Sequence, residues 1–142
     1  MIALLLALQA ATVAPAAAAP VLGPIGRQAL PASGCAAFLW SLAGDRTLVA
    51  MAAASPPRIR LALDGSAPAD LARVTGEGAP TLGLMPVSAY KAGDVTATLA
   101  MTITTRADLK AGAVVSQGTL TVERPNKDSV VLPVAGLVGC AS

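Results

Sequence analysis

The stretch Val95-Thr-Ala-Thr-Leu-Ala-Met-Thr-Ile-Thr-Thr105 decides the fold class, because apolar and polar side chains alternate along most of it. Threonine occupies all but one of the positions between its apolar residues, which are Val95, Ala97, Leu99, Met101 and Ile103. Successive side chains of an extended chain point to opposite faces, so this pattern predicts a strand with one buried and one solvated face. We therefore expect a β-rich fold around residues 95–105.

The chain after residue 105 predicts two further strands. Residues 119–123 alternate in the same way, and Gly118 before them predicts a β-bulge. A turn at residues 125–128 leads into a last strand over residues 129–138. Pro133 lies inside that last strand and cannot donate a hydrogen bond to a neighbouring strand, so we predict an edge position or a bulge there.

The chain before residue 95 is less regular. Residues 58–63 alternate and predict a strand whose apolar side faces the core. Residues 81–85 predict a short strand, and residues 68–74 fit either one helical turn or a short strand. We interpret residues 88–91 as part of a loop that leads to the strand at Val95.

Two apolar runs, residues 35–42 and 47–54, flank a turn. They predict a buried hairpin, and a short helix within residues 36–54 is the alternative because Leu, Met and Ala favour helix. Phe38 and Trp40 lie in the more apolar run, so we expect them in the core. The whole pattern predicts a mainly β protein, an antiparallel β-sandwich or small barrel of about seven or eight strands, with α+β as the alternative.

The amino-terminal residues are typical of export. Residues 1–18 predict a secretory signal peptide, because an apolar run at residues 2–8 precedes the small residues Ala16 to Ala19. Residues 19–34 are rich in Pro and Gly and predict an extended leader outside the core. Residues 35–142 then form a single β domain. We expect a bacterial protein exported to the periplasm or the extracellular space, with no membrane span in the mature chain.

The chain has two cysteines, Cys35 and Cys140, one near each end of the predicted domain. Two cysteines in an exported domain favour a disulfide bond. Such a bond would bring the first and last core strands together, because the two α-carbons must lie within about 7 Å. Residues 32–35 resemble a bacterial lipoprotein processing site, but Ala32 stands where a leucine is usual, so we do not expect a lipid on Cys35.

Little in the sequence points to catalysis. The chain contains no histidine, which excludes Ser-His-Asp and Cys-His mechanisms and disfavours a zinc site. Ser88 and Lys91 have the Ser-x-x-Lys spacing of penicillin-recognising enzymes, but the Ser-Asp-Asn and Lys-Thr-Gly elements that accompany it are absent. We therefore predict no enzyme activity, no catalytic or metal-binding residue and no cofactor.

Charge and side-chain type leave an interaction role as the main hypothesis. The formal net charge of +2 is too balanced to predict a nucleic-acid partner. Arg58 and Arg60 project from one face of their predicted strand and are the candidate contacts for a partner. We expect an interaction or structural module that binds another periplasmic or envelope protein, by strand addition if an edge is exposed. The alternative is a barrel that carries a small apolar ligand.

Inhibition of a wall-degrading enzyme is a third hypothesis. An exported β domain with a cysteine near each end, and a segment with Ser88, Tyr90 and Gly93, resemble the periplasmic lysozyme inhibitors. The segment lacks the Ser-Gly start of that family, so the resemblance assigns no functional residue in this chain.

Overall fold

The computed structural model describes residues 21–142, and the predicted signal peptide lies outside them. Within this range the chain forms nine strands and no helix. The strands are β1 (Leu22–Gly23), β2 (Cys35–Ser41), β3 (Leu48–Ala54), β4 (Pro57–Leu63), β5 (Ala69–Glu77), β6 (Val87–Ala92), β7 (Val95–Thr104), β8 (Gly112–Glu123) and β9 (Val130–Cys140). The helix alternative within residues 36–54 is wrong, because β2 and β3 form an antiparallel hairpin there.

Strands β2 to β9 form a closed, eight-stranded antiparallel barrel. Each strand pairs with the next one in sequence, and β9 pairs back with β2, which closes the sheet. The ninth strand, β1, lies against the end of β4, with Leu22 opposite Leu63. The prediction of a small antiparallel barrel is confirmed, and the sandwich is not formed.

Alternating side chains fill the interior of the barrel. On β7 the side chains of Ala97, Leu99 and Met101 are buried, whereas Ala100 and Thr102 between and beyond them are exposed. An eight-stranded barrel is just wide enough for side chains to fill it. The largest side chains that are almost completely buried are Leu39, Val49, Ile59, Leu61, Leu99, Val115, Leu120, Val122 and Val134.

The two cysteines lie at the junction that closes the barrel. Cys35 is the first residue of β2 and Cys140 the last of β9, and the two lie directly opposite each other. Their α-carbons are 3.9 Å apart and their sulfur atoms are bonded. The predicted disulfide is therefore confirmed, and so is the prediction that it joins neighbouring first and last core strands. Such a bond is compatible with an oxidising compartment.

Pro133 marks neither a sheet edge nor a bulge, so that prediction is wrong; it pairs regularly with Thr119, and the register shift lies between Val115 and Gly118 on β8. β9 pairs with β8 on one side and with β2 on the other. The proline is accommodated because β2 ends at Ser41, which lies opposite Val134. Beyond that pair the Pro133 carbonyl still accepts a hydrogen bond from the Leu42 N–H, at 3.0 Å. Proline has no N–H group to donate. The nitrogen of Pro133 faces the end of β2, where the hydrogen bonding between the two strands stops, so the absent donor is tolerated there.

Between residues 69 and 92 the structure decides one prediction and corrects two. Of the helical turn and the short strand left open for residues 68–74, the strand is formed, as part of β5, although Leu71 is its one buried side chain. The predicted strand at residues 81–85 is a tight turn in which Thr81 and Leu84 exchange two backbone hydrogen bonds of 2.9 Å. The predicted loop at residues 88–91 is the middle of β6. Leu84 is buried and packs against the core at one end of the barrel.

The leader is part of the packed structure, which corrects the prediction that it lies outside the core. Ile25 is buried in a second apolar cluster on the outside of β2, β3 and β4, with Ala36, Met51, Ala53 and Ala62. Its N–H donates to the Leu48 carbonyl at 3.0 Å. The Pro and Gly residues of the leader prevent regular structure, but they leave its apolar side chains free to cover the barrel wall.

Candidate interaction surface

The buried polar side chains of the barrel do not form a reactive group. Ser88 and Tyr90 point inward from β6, whereas Lys91 is exposed on the opposite face of the strand. The Ser-x-x-Lys spacing therefore brings no lysine to the serine, because residues three apart on a strand face opposite sides. Burial raises the pKa of the Tyr90 hydroxyl, which stays protonated at neutral pH. Ser88 and Tyr90 are also the residues that suggested a lysozyme-inhibitor loop, and neither is exposed.

The acidic residues are dispersed or bound to arginine. Within residues 21–142, no three His, Cys, Asp or Glu side chains converge in a way that could hold a metal ion. Asp64, in the turn after β4, pairs with Arg124, which follows β8, and Lys127 lies 3.9 Å from the same carboxylate. The pair of Asp64 and Arg124 crosses the end of the barrel at which β4 and β8 finish, because these two strands lie on opposite sides of the ring of strands.

Arg58 and Arg60 lie on the outer face of β4, next to Asp70 of β5. Arg60 Nε and Nη2 donate to the two Asp70 carboxylate oxygens at 2.8 and 3.1 Å. Its Nη1 donates to Oε1 of Gln28 in the leader at 2.7 Å. Arg58 Nη1 lies 3.4 Å from the same carboxylate, and the hydrogen bond from Arg60 lowers the pKa of Asp70. The two arginines thus join β4 to β5 and to the leader, and contact with a partner protein stays a prediction.

An exposed apolar surface runs along the outside of β9. The even-numbered side chains of this strand, including Val134 and Val138, pack toward the core, so the odd-numbered ones point outward. Val131 is 62% exposed and Leu137 is 52% exposed. We call the four outward residues Val131, Pro133, Ala135 and Leu137 the β9 stripe.

The neighbouring strands extend this apolar surface. Leu137 lies between Phe38 of β2 and Val114 of β8, and Ala135 lies beside Trp40. Phe38 and Trp40 are half-buried on the outer face, and neither lies inside the barrel. The prediction of core packing is wrong for Trp40, whereas Phe38 packs against the second apolar cluster around Ile25. On β2, Cys35 and every second residue after it face inward, so Phe38 and Trp40 face outward.

The strands around the β9 stripe carry very little charge, although Asp108 and Lys110 of the β7–β8 connection lie beside Leu137. Glu123, the last residue of β8, is the one charged residue in β2, β8 and β9. Isolated apolar side chains are normal on a protein surface, but a continuous apolar patch is typical of an interaction site. The β9 stripe is therefore the candidate functional site within residues 21–142.

The apolar composition of β9 indicates this surface in the sequence, although we predicted only an ordinary final strand there. None of the eleven residues of β9 has a polar side chain. A strand with one solvated face normally alternates between apolar and polar residues, whereas a continuous apolar run is typical of a strand buried on both faces. The outer face of β9 is covered at Gly139, by Leu30 of the leader and Phe38, but it is exposed at Val131 and Leu137, so its sequence is more apolar than its position in the barrel requires.

No family model, characterised protein or solved structure matches this chain. Within residues 21–142 there is no helix of the length and apolarity needed to cross a membrane.

Proposed function

We propose that this protein is an exported, non-catalytic interaction module whose β9 stripe binds an apolar surface of another protein of the bacterial envelope. The single observation that carries the proposal is the stripe itself, in which two large side chains, Val131 and Leu137, are more than half exposed on a strand without charged residues. The amino-terminal signal supports export, and the disulfide between Cys35 and Cys140 suits an oxidising compartment.

The partner would dock on the face of the barrel wall. Strand addition needs an unpaired edge, and β9 is hydrogen-bonded to β8 and β2 along most of its length. Full burial of a Val or Leu side chain contributes about 1.5–3 kcal/mol, so the exposed halves of Val131 and Leu137 contribute roughly 1 kcal/mol each. The half-buried Phe38 and Trp40 beside the stripe would add to this contact.

Site-specific photo-crosslinking in the native envelope tests this proposal. A photoreactive residue at Leu137 should give one discrete adduct with a partner protein. The matched control is the same residue at Ala72, which is exposed on β5, on the side of the barrel opposite β9. Adding Val131→Asp to the Leu137 probe should abolish the adduct, because it places a charge in the apolar contact.

Three results would contradict the proposal: no adduct at Leu137, the same adducts at Ala72, or an adduct that survives Val131→Asp. An adduct of twice the mass of the protein would replace the envelope partner by a second copy of this chain. Inhibition of a wall-degrading enzyme would be one form of the proposed contact, and the identity of the adduct decides it. The carrier hypothesis needs a cavity, and since side chains fill the barrel interior, a small ligand would have to bind at the open end of the barrel.

A further inference from the structure

A cleft lies at the end of the barrel where β2 stops before β9 does. The last pair between these strands joins Ser41 to Val134, and β9 extends four residues beyond it, to Val130. The leader passes on the other side of the resulting gap. The cleft has a volume of about 590 Å³, and its apolar wall consists of Val21, Leu22, Pro24, Val49, Val130 and Leu132.

Three polar side chains line the cleft, Ser41, Asp45 and Thr47, and the first two differ in whether their polar atoms already have partners. The Ser41 hydroxyl donates to the Ala43 carbonyl at 2.9 Å and accepts from the Ala43 N–H at 3.2 Å, so both its functions are used. Asp45 lines the rim of the cleft and forms no ion pair within residues 21–142. Asp64, at the same end of the barrel, is neutralised by Arg124.

We propose that this cleft binds a small amphiphile whose apolar body lies against Leu22, Val49 and Leu132 and whose cationic head faces Asp45. Its volume falls in the range of about 300–1,000 Å³ that is usual for ligand sites, and such sites combine apolar walls with a few polar groups that orient the ligand. A carboxylate without a partner at the rim attracts a cation and repels an anion. The cleft is distinct from the β9 stripe, because Val130 and Leu132 pack toward the core, whereas the stripe residues lie on the outer face of the same strand.

Displacement of a neutral fluorescent probe, N-phenyl-1-naphthylamine, tests both parts of the proposal in the mature full-length chain. The probe should gain fluorescence on binding the cleft. At low ionic strength decylammonium should displace it at concentrations roughly two- to five-fold lower than decanoate, as expected for one partly solvated ion pair. Asp45→Asn should remove the difference between the two displacers and leave probe binding in place. Equal displacement by both amphiphiles in the wild-type protein would overturn the choice of a cationic head.

A second set of variants locates the bound probe. Leu132→Trp should fill the cleft and abolish probe binding, whereas Thr121→Trp, which faces outward on the adjacent strand β8, should not. Because Leu132 packs against the core, Thr47→Trp at the exposed rim provides a second block that leaves the core intact. Probe binding that survives both blocking variants, or is absent from the wild type, would overturn the site. Loss of the signal in Leu137→Asp would place the probe on the β9 stripe and would overturn it as well.

Discussion

Removal of the bond between Cys35 and Cys140 should destabilise the barrel strongly while leaving its architecture in place. The bond joins residues 105 apart in sequence that lie directly opposite each other on paired strands. In the folded state the backbone ladder already holds these strands together, so the main effect of the bond is on the unfolded chain. The loop-entropy relation for a loop of this length gives about 4.7 kcal/mol of stabilisation at 25 °C.

Urea unfolding of the oxidised protein and of the double variant Cys35→Ala, Cys140→Ala measures this quantity. With an m-value of about 2 kcal/mol/M, the midpoint of the variant should be lower by about 2 M. The wild-type protein under a strong reductant is the control, because it loses the bond and keeps both side chains. The free energy of unfolding of the reduced protein should match that of the variant to within about 1 kcal/mol, which corresponds to about 0.5 M in the urea midpoint.

Two outcomes would refute the reasoning. Equal midpoints for oxidised and reduced protein would show that the unfolded chain is not restricted by the bond. Loss of the β-sheet circular dichroism signal in native buffer after reduction would show that the hydrogen bonds between β2 and β9 cannot close the barrel without it. A smaller midpoint shift with intact circular dichroism would only change the magnitude, because residual structure in the unfolded chain reduces the entropic gain.

Asp70→Asn should lower stability at pH 7 by about 0.5–1 kcal/mol, because the pair is partly exposed. The hydrogen bond from Arg60 lowers the pKa of Asp70, so this stabilisation is present above the ordinary Asp pKa of about 3.9 and disappears as the pH falls below it. Urea unfolding at several pH values measures this dependence. In the same assay Gly136→Ala should lower the free energy of unfolding by about 3 kcal/mol or more, because a β-carbon there would overlap the Phe38 carbonyl oxygen of β2. The control Gly23→Ala should change it by less than about 0.5 kcal/mol, because the nearest atom to a β-carbon there is 4.0 Å away. Ile25→Ala should release the leader and accelerate trypsin cleavage after Arg27 while the barrel stays folded, and an unchanged cleavage rate would show that Ile25 does not hold the leader.

The parts of the fold that could be predicted are those in which local pattern and final burial agree. β7 alternates because it has one face in the barrel and one in solvent, and it ends one residue before the predicted boundary. The bulge predicted at Gly118 is confirmed by the shift in pairing between Val115 and Gly118. The disulfide could be predicted because an expected export and a count of two cysteines leave few alternatives.

The missed elements have side chains that do not report their position. β6 points Ser88 and Tyr90 inward, so its buried face is polar in sequence and its pattern suggests a loop. β5 buries Leu71 alone, which is too little for a period to be visible. Pro133 suggests an edge, and only the length of β2, a property of another strand, explains why it is tolerated within the sheet.

The candidate site was less predictable than the fold. Arg58 and Arg60 are the obvious surface residues in the sequence, but no local pattern shows that Asp70 lies beside them. The β9 stripe can be recognised only when the covered walls of the barrel are known. The leader covers the outer faces of β2, β3 and β4, whereas Val131 and Leu137 on β9 stay exposed. Which wall of a barrel is covered is a long-range property, and periodicity cannot reveal it.

Closure of the barrel by its first and last strands has a consequence for the order of folding. Seven of its pairings join strands that are adjacent in sequence, and each can form as a hairpin while the chain is being made. The pairing of β2 with β9 has to wait until residue 140 is available. Until then the apolar edge of β2 stays unpaired, so the protein is most prone to aggregate just before its final eleven-residue strand arrives.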